Sequence, residues 1–281
     1  MRSRLILFPV LLAVGAAMSS ALAEDRPAPP VLAELLEAKP SEEFEGTFAE
    51  DKRREAMRTA ALAYGAQAGL ARRTWEIQRL TEERAAELDR IYRFRALTVR
   101  KHGFVVVPPV VGETREAVRF SSDGSRAASA ARVVRIVEGE RLASAPPHWR
   151  DFLVRSWPPV EKPVSVLFPR DEAEKAAWVG WVAKGWEAGR AQADEINEAD
   201  VDRLSTTFEG LARWGWMHDA RMVGGPDVEV SRSGVAGDGR VMRVKETLVR
   251  MGEPAELNLR SREWRLVVRG REDDTPLEEV Q

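Results

Sequence analysis

The stretch that decides the fold is AWVGWVAKGWEAGRAQADEI, residues 177–196. It contains three tryptophans and three glycines, although each glycine inside a helix costs about 1 kcal/mol relative to alanine. On a helix, the residues that fall on one face at steps of 3, 4, 4, 3 and 4 are Trp178, Trp181, Gly185, Gly189, Gln192 and Ile196. Trp186 lies beside them. The spacing predicts a helix whose glycines face a close neighbour.

A second stretch, AYGAQAGLARRTWEI at residues 63–77, has the same character. Gly65 and Gly69 are four residues apart, with Tyr64 before them and Trp75 beyond them. The apolar stripe that predicts a long helix over residues 52–90 is Met57, Ala61, Tyr64, Ala68, Ala71 and Trp75. Two interpretations stay open. The two small-residue faces pack on each other inside one chain, or one of them accepts a partner chain.

The other segments predict an α+β fold in which two long helices pack with short antiparallel strands and hairpins. The second long helix is expected over residues 171–217, and a short helix over residues 148–157. Strands are expected where β-branched residues are dense or alternate with polar ones, at residues 104–111, 131–142, 228–234, 240–251 and 263–270. A hairpin turn is expected at the GDG of residues 237–239.

The ends of the chain differ in composition from its middle. Residues 1–23 read as a secretory signal peptide, with a basic start, a short apolar run and ALA at the end. Residues 24–51 read as a flexible, proline-rich tether, residues 52–270 as a single α+β domain, and residues 271–281 as a frayed C-terminus. Without the signal, 41 Lys+Arg stand against 45 Asp+Glu, a net charge of −4. This slightly negative net charge does not indicate a protein that binds nucleic acid.

The sequence offers no recognisable catalytic or metal-binding residues, and no cofactor is expected. It has no cysteine, which excludes disulfides and thiol chemistry. Its three histidines, His102, His148 and His218, lie in different segments without metal-ligand spacing. Two alternatives remain open beside a structural role. They are a cell-wall glycan hydrolase, whose tryptophans would stack on sugars, and a free periplasmic ligand-binding protein.

Several motifs, taken together and in order, resemble the DotC/TraI-type family of type IVB secretion and IncI-type conjugation systems. They are ALAYGAQAGLARRTWEI, LDRIYRFRAL, VVPPVV, RVVRIVEGERLASAPPHWRDFLVRSW, GWVAKGWEAGRAQADEI and GVAGDGRVMRV, which span about residues 55–250. The motif positions are Tyr64 to Ile77, Pro146 to Leu153, and Gly185 to Gln192. The second of these motifs contains Trp149.

The resemblance implies a non-enzymatic component of an outer-membrane core complex. Such a component would lie in the periplasm, in multiple copies in a ring assembly, with DotD-like and DotH-like partners, and would support placement of the DotH-like protein. Family members are commonly lipoproteins, whereas this chain has Glu24 after its signal and no cysteine. Any association with the outer membrane is therefore expected to be indirect, through partners.

Overall fold

The computed structural model describes residues 28–37, 50–123, 127–157, 159–238 and 240–266. The fold is α+β, as the sequence predicts, with two long helices and short antiparallel strands. Packing divides the chain into two compact units. Unit 1 comprises residues 1–75 and 156–190, and unit 2 comprises residues 76–155 and 191–281.

Two helices form most of unit 1. Helix α1 spans Leu32–Leu36, helix α2 spans Glu50–Glu83, and helix α5, the last α-helix in the described residues, spans Glu172–Asp219. The unit boundary falls in α2 after Trp75 and in α5 after Arg190. Before α5, the Asp171 carboxylate accepts the backbone N–H of Glu174 at 2.8 Å, so this side chain satisfies a helix-end donor. Asp171 therefore stabilises the start of α5.

The core of unit 1 lies between these helices. It is made of Leu35, Met57, Ala61, Tyr64, Ala68, Trp178, Val182 and Trp186, all buried. The predicted stripe of α2 supplies the residues from Met57 to Ala68, and Ala71 continues it as a buried residue. Residues 28–37, which were expected to belong to the tether, contribute Leu35 to this core.

Unit 2 contains the remaining short helices. Helix α3 spans Ala85–Ile91 and helix α4 spans Arg150–Leu153, with a 3-10 turn at Phe94–Leu97. One core of this unit packs Phe94, Val107, Val110 and Trp149 against Leu204 and Leu211 of α5. The ring of Phe94 stacks on Phe152 at 5.7 Å and meets the edge of Phe208 at 5.3 Å. An aromatic cluster therefore anchors the 3-10 turn and α4 to α5.

All strands pair in an antiparallel manner. Strands β1 (Val99–Lys101), β2 (Phe104–Val107) and β5 (Arg141–Ala143) form one sheet in the order β1-β2-β5. Strands β3 (Val110–Phe120) and β4 (Ala127–Glu138) form a long hairpin. A second hairpin pairs β6 (Val228–Arg232) with β9 (Thr247–Met251), and then β7 (Val235–Gly237) with β8 (Met242–Val244). Strands β7 and β8 pair on either side of the predicted GDG turn, of which Gly239 lies outside the described residues.

Two local predictions are wrong. Helix α4 ends at Leu153 instead of reaching residue 157, because the backbone turns to an extended conformation at Val154, with φ −90° and ψ 119°. The strand expected at residues 263–270 is absent from its described part, residues 263–266. There the N–H of Arg265 donates to the carbonyl of Ala220 at 2.9 Å, so it joins no strand ladder.

Two further expectations concern regions only partly described. The two compact units do not decide whether residues 52–270 form a single domain, so this expectation stays a prediction. The signal peptide and the C-terminal end after residue 266 lie outside the described residues, as does most of the tether. In the described ranges, none of the helices combines the length and the apolar character that a bilayer span requires.

Candidate functional site

The closest contact in unit 1 is between the glycines of α2 and the backbone of α5. A Cβ atom built on Gly65 would lie closer than 3.0 Å to the carbonyl oxygen of Val182, and one on Gly69 equally close to that of Trp186. Real Cβ atoms essentially never approach other atoms so closely. A side chain at either position would therefore have to push the two helix backbones apart.

The glycines of α5 make the reciprocal contact. A Cβ atom on Gly185 would lie closer than 3.0 Å to the carbonyl oxygen of Leu62, and one on Gly189 equally close to that of Ala66. Each helix thus places its carbonyl groups where the other helix lacks a side chain. Internal packing occupies both glycine faces, so neither is a bare surface in this structure.

Tryptophans and a tyrosine surround this contact. Trp178 is fully buried and meets the ring of Phe168 edge to face at 5.3 Å, while Trp186 is buried and Trp181 half-buried. Tyr64 is buried beside them, and this burial, with the nearby charge of Glu34, raises the pKa of its phenol. These aromatic side chains exclude water from the backbone contact between the glycines.

The remaining predicted positions on these two helices are less buried. The ring of Trp75 is partly exposed, and the guanidinium of Arg72 lies 4.5 Å from its centre. Gln192 is exposed, and it belongs to unit 2. The face predicted from Trp178 to Ile196 is therefore a packed face as far as Gly189, and open to solvent at Gln192.

Trp149 is the centre of the PPHWRDFL motif in unit 2. It is fully buried, and its indole N–H donates to the Asp89 carboxylate of α3 at 2.7 Å. The Arg150 guanidinium lies 4.1 Å from the indole centre and donates two hydrogen bonds to Glu82, at 3.0 and 2.8 Å. A bidentate pair of this kind fixes geometry as well as charge. The motif therefore joins α4 to the end of α2 and to α3.

The charges around Asp89 affect its titration. The hydrogen bond from Trp149 is the main reason why the pKa of the Asp89 carboxyl is lowered, and the charges of His148 and Arg150 act in the same direction. His148 contacts the same carboxylate, with Nε2 3.2 Å from Oδ1. A His-Asp pair can serve acid–base catalysis, but here the carboxylate oxygen also accepts the buried tryptophan, which suits an anchor.

A second anchor in unit 2 was missed by sequence reasoning. Asp200 on α5 is only 4% exposed and accepts two hydrogen bonds from the Arg155 guanidinium, one of them 2.6 Å from Nη2 to Oδ1. This contact raises the pKa of Arg155. The other acids of residues 194–202 are exposed, so Asp200 is an exception in this run. Nothing in the spacing of this run marks it, since its partner lies 45 residues earlier.

The chemistry that the described residues could support is limited. They contain no group of three or more His, Asp or Glu side chains placed to hold a metal ion. His148 pairs with Asp89, His218 stacks on Trp214 with ring centres 4.9 Å apart, and His102 lies in the turn between β1 and β2. The carboxylates of Asp89 and Asp200 hold side chains in structural contacts, whereas the buried indole N–H of Trp178 has no hydrogen-bond partner among the described residues.

The part of the chain that carries the motifs matches a known protein family. Residues 51–266 match the sequence model of the TraI family, described as "Type IV secretory system, conjugal DNA-protein transfer". The chain belongs to this family. The match confirms the resemblance to a type IV secretion and conjugation family, and it includes both glycine pairs and Trp149. The search among curated proteins gives no match. The TraI-type chain is thus a type IV secretion component whose family motifs are used for packing.

Proposed function

We propose that this TraI-type chain is a non-enzymatic structural subunit of the outer-membrane core complex of a type IVB secretion or conjugation system. The family match over residues 51–266 carries the proposal. The fate of the motif residues supports it. The glycines allow the two helix backbones to approach each other closely, and Trp149 anchors α4. Neither arrangement presents a reactive group.

The proposal includes partners and a location. The chain works in the periplasm beside DotD-like and DotH-like proteins, in several copies, and supports placement of the DotH-like protein at the outer membrane. It is held there mainly through those partners. A rigid helical core is suited to this role, because a subunit that positions others must resist deformation at its own packing contacts.

The experiment is an affinity capture from the native host. The tagged chain is expressed at its natural level, the envelope is crosslinked and solubilised in mild detergent, and captured proteins are identified by mass spectrometry. DotH-like and DotD-like proteins should be recovered in constant ratio to the chain. Recovery of the chain alone, under conditions in which the DotH-like protein remains assembled, would contradict the proposal.

The enzyme alternative needs its own assay. The purified chain is incubated with peptidoglycan, and the release of soluble fragments is measured against buffer. The proposal expects no release above buffer. A release that is lost when one carboxylate is replaced by its amide would replace the structural role with a hydrolytic one.

A further inference from the structure

The second hairpin of unit 2 ends in an apolar tip that no described residue covers. We define the hairpin tip as Val235, Val241, Met242 and Val244, whose side chains are 65%, 50%, 72% and 59% exposed. Val235 lies opposite Val244 in the ladder, and Met242 lies opposite Gly237 on the same face. Large apolar side chains are normally scattered singly over a surface, so four together at one end of a hairpin need a reason.

The base of the same hairpin behaves differently. Along β6 and β9, Val228, Val230, Val249 and Met251 share one face and are half-buried. The hairpin is therefore seated on unit 2 by its base, whereas its tip projects into solvent. The tip has a defined shape, because Asp238 accepts the backbone N–H groups of Arg240 and Val241, both at 3.0 Å. These hydrogen bonds also lower the pKa of the Asp238 carboxyl.

The charges of the hairpin do not cancel. Each of its acids is engaged: Asp238 in the turn, Glu246 with Arg243 at 3.6 Å, and Glu229 with Arg250 at 3.0 Å. Three cations of the hairpin have no side-chain partner among the described residues, namely Arg232, Arg240 and Lys245. The net charge of the chain is negative, but the hairpin over residues 228–251 carries five cations against three acids, a formal charge of +2.

We infer that the hairpin tip binds an anionic lipid surface, with the apolar side chains entering the interface and Arg240 and Lys245 contacting lipid phosphates. An apolar tip bordered by unpaired cations has the two attractions that bind proteins to charged bilayers. A second copy of the chain suits the tip less well. Four side chains fall short of the roughly 800 Å² per partner of a stable protein interface, and copies of a cationic tip repel each other. The inference does not depend on the proposed assembly role.

The absence of cysteine allows a local test on the full chain. Met242→Cys is labelled with nitrobenzoxadiazole, whose emission shifts to the blue and rises when it leaves water. The same label on Val164→Cys, an exposed apolar position in unit 1 (64% exposed), reports whether any other part of the chain brings it to the membrane. The vesicles are phosphatidylcholine alone, or phosphatidylcholine with phosphatidylglycerol.

The emission of the label at residue 242 should rise and shift to the blue with phosphatidylglycerol vesicles at low salt, and this change should be lost at high salt. Vesicles of phosphatidylcholine alone should not change its emission. The emission of the label at residue 164 should stay unchanged with both kinds of vesicle. Arg240→Gln with Lys245→Gln should reduce partitioning by about fivefold per cation removed. The matched control, Arg54→Gln with Lys184→Gln, removes the same charge from exposed sites in unit 1 and should leave it unchanged.

Three results would overturn the inference. The first is no response to either vesicle, and the second is an equal response to both, since the cations would then contribute nothing. The third is a label that becomes shielded as the protein concentration rises without lipid, which would assign the tip to contact between copies. All variants lie at exposed positions, and thermal melts followed by circular dichroism verify that each is folded.

Discussion

Replacing Gly185 by alanine tests the helix contact with a single methyl group. In this structure the added Cβ would meet the carbonyl oxygen of Leu62 on α2, at a distance below 3.0 Å. A backbone carbonyl cannot rotate away as a long side chain can. The matched control is Gly180→Ala on the same helix, where an added Cβ has no atom within 4 Å.

The two substitutions should therefore have opposite signs. Both gain about 1 kcal/mol of helix propensity. At Gly185 this gain is opposed by an overpacking cost of up to about 3 kcal/mol, at the upper end of the usual range because the obstacle is backbone. The net result is a destabilisation of about 2 kcal/mol for Gly185→Ala. Gly180→Ala should stabilise the chain by up to about 1 kcal/mol.

The assay is thermal and urea unfolding followed by circular dichroism. A loss of about 2 kcal/mol should lower Tm by roughly 4–8 °C for a chain of this size, whereas the control should raise Tm slightly. Gly185→Leu, which adds three more carbons, should fail to fold or to assemble. If Gly185→Ala and Gly180→Ala change Tm by the same amount in the same direction, the result would contradict the close backbone contact between α5 at Gly185 and α2 at Leu62.

Two further predictions concern the anchors of unit 2. Asp200→Asn should destabilise the chain by about 1–3 kcal/mol in urea unfolding, because Arg155 then keeps its charge without its carboxylate partner. The loss stays in this range because Arg155 is half-exposed, so water solvates part of its charge. The control Asp202→Asn, at an exposed position, should stay within about 0.5 kcal/mol of the parent. An equal effect of both would remove the anchor role. The pKa of Asp89 is lowered in the fold, so its stabilisation is present above the unfolded value of about 3.9 and is lost as the pH falls through the lower folded value. The Tm difference between the parent and Asp89→Asn should therefore be present at neutral pH and shrink in strong acid, and a constant difference across this range would contradict it.

The sequence predicts those parts of the fold that depend on local periodicity. The stripe from Met57 to Ala71 is buried as expected, and α5 runs unbroken from Glu172 to Asp219, close to the predicted residues 171–217. The five glycines of α5 do not interrupt it, and close tertiary packing at Gly185 and Gly189 offsets their cost in helix propensity. Helix propensity alone would have placed a boundary there, and the regular spacing of the tryptophans was the better guide.

Long-range polar pairs could not be predicted in the same way. Trp149 and Asp89 lie 60 residues apart, and Arg155 and Asp200 lie 45 apart. No spacing rule links such pairs, since their meeting depends on how α3 and α5 pack with the loop after α4. The length of α4 was overestimated because the backbone becomes extended at Val154, and the pattern of residues 148–157 does not show where the helix ends.

The packing also changes where a partner can bind. Both glycine faces are filled by the chain's own helices, so a neighbouring subunit has to use other residues. Gly185→Ala should then weaken assembly only as far as it unfolds the chain, and its captured DotH-like protein should recover when the assay temperature is lowered in step with Tm. A variant that keeps its Tm yet loses the DotH-like protein would show that α2 and α5 separate to admit a partner. The internal contact seen here would in that case be a resting state of the subunit, and the glycines would be its docking surface.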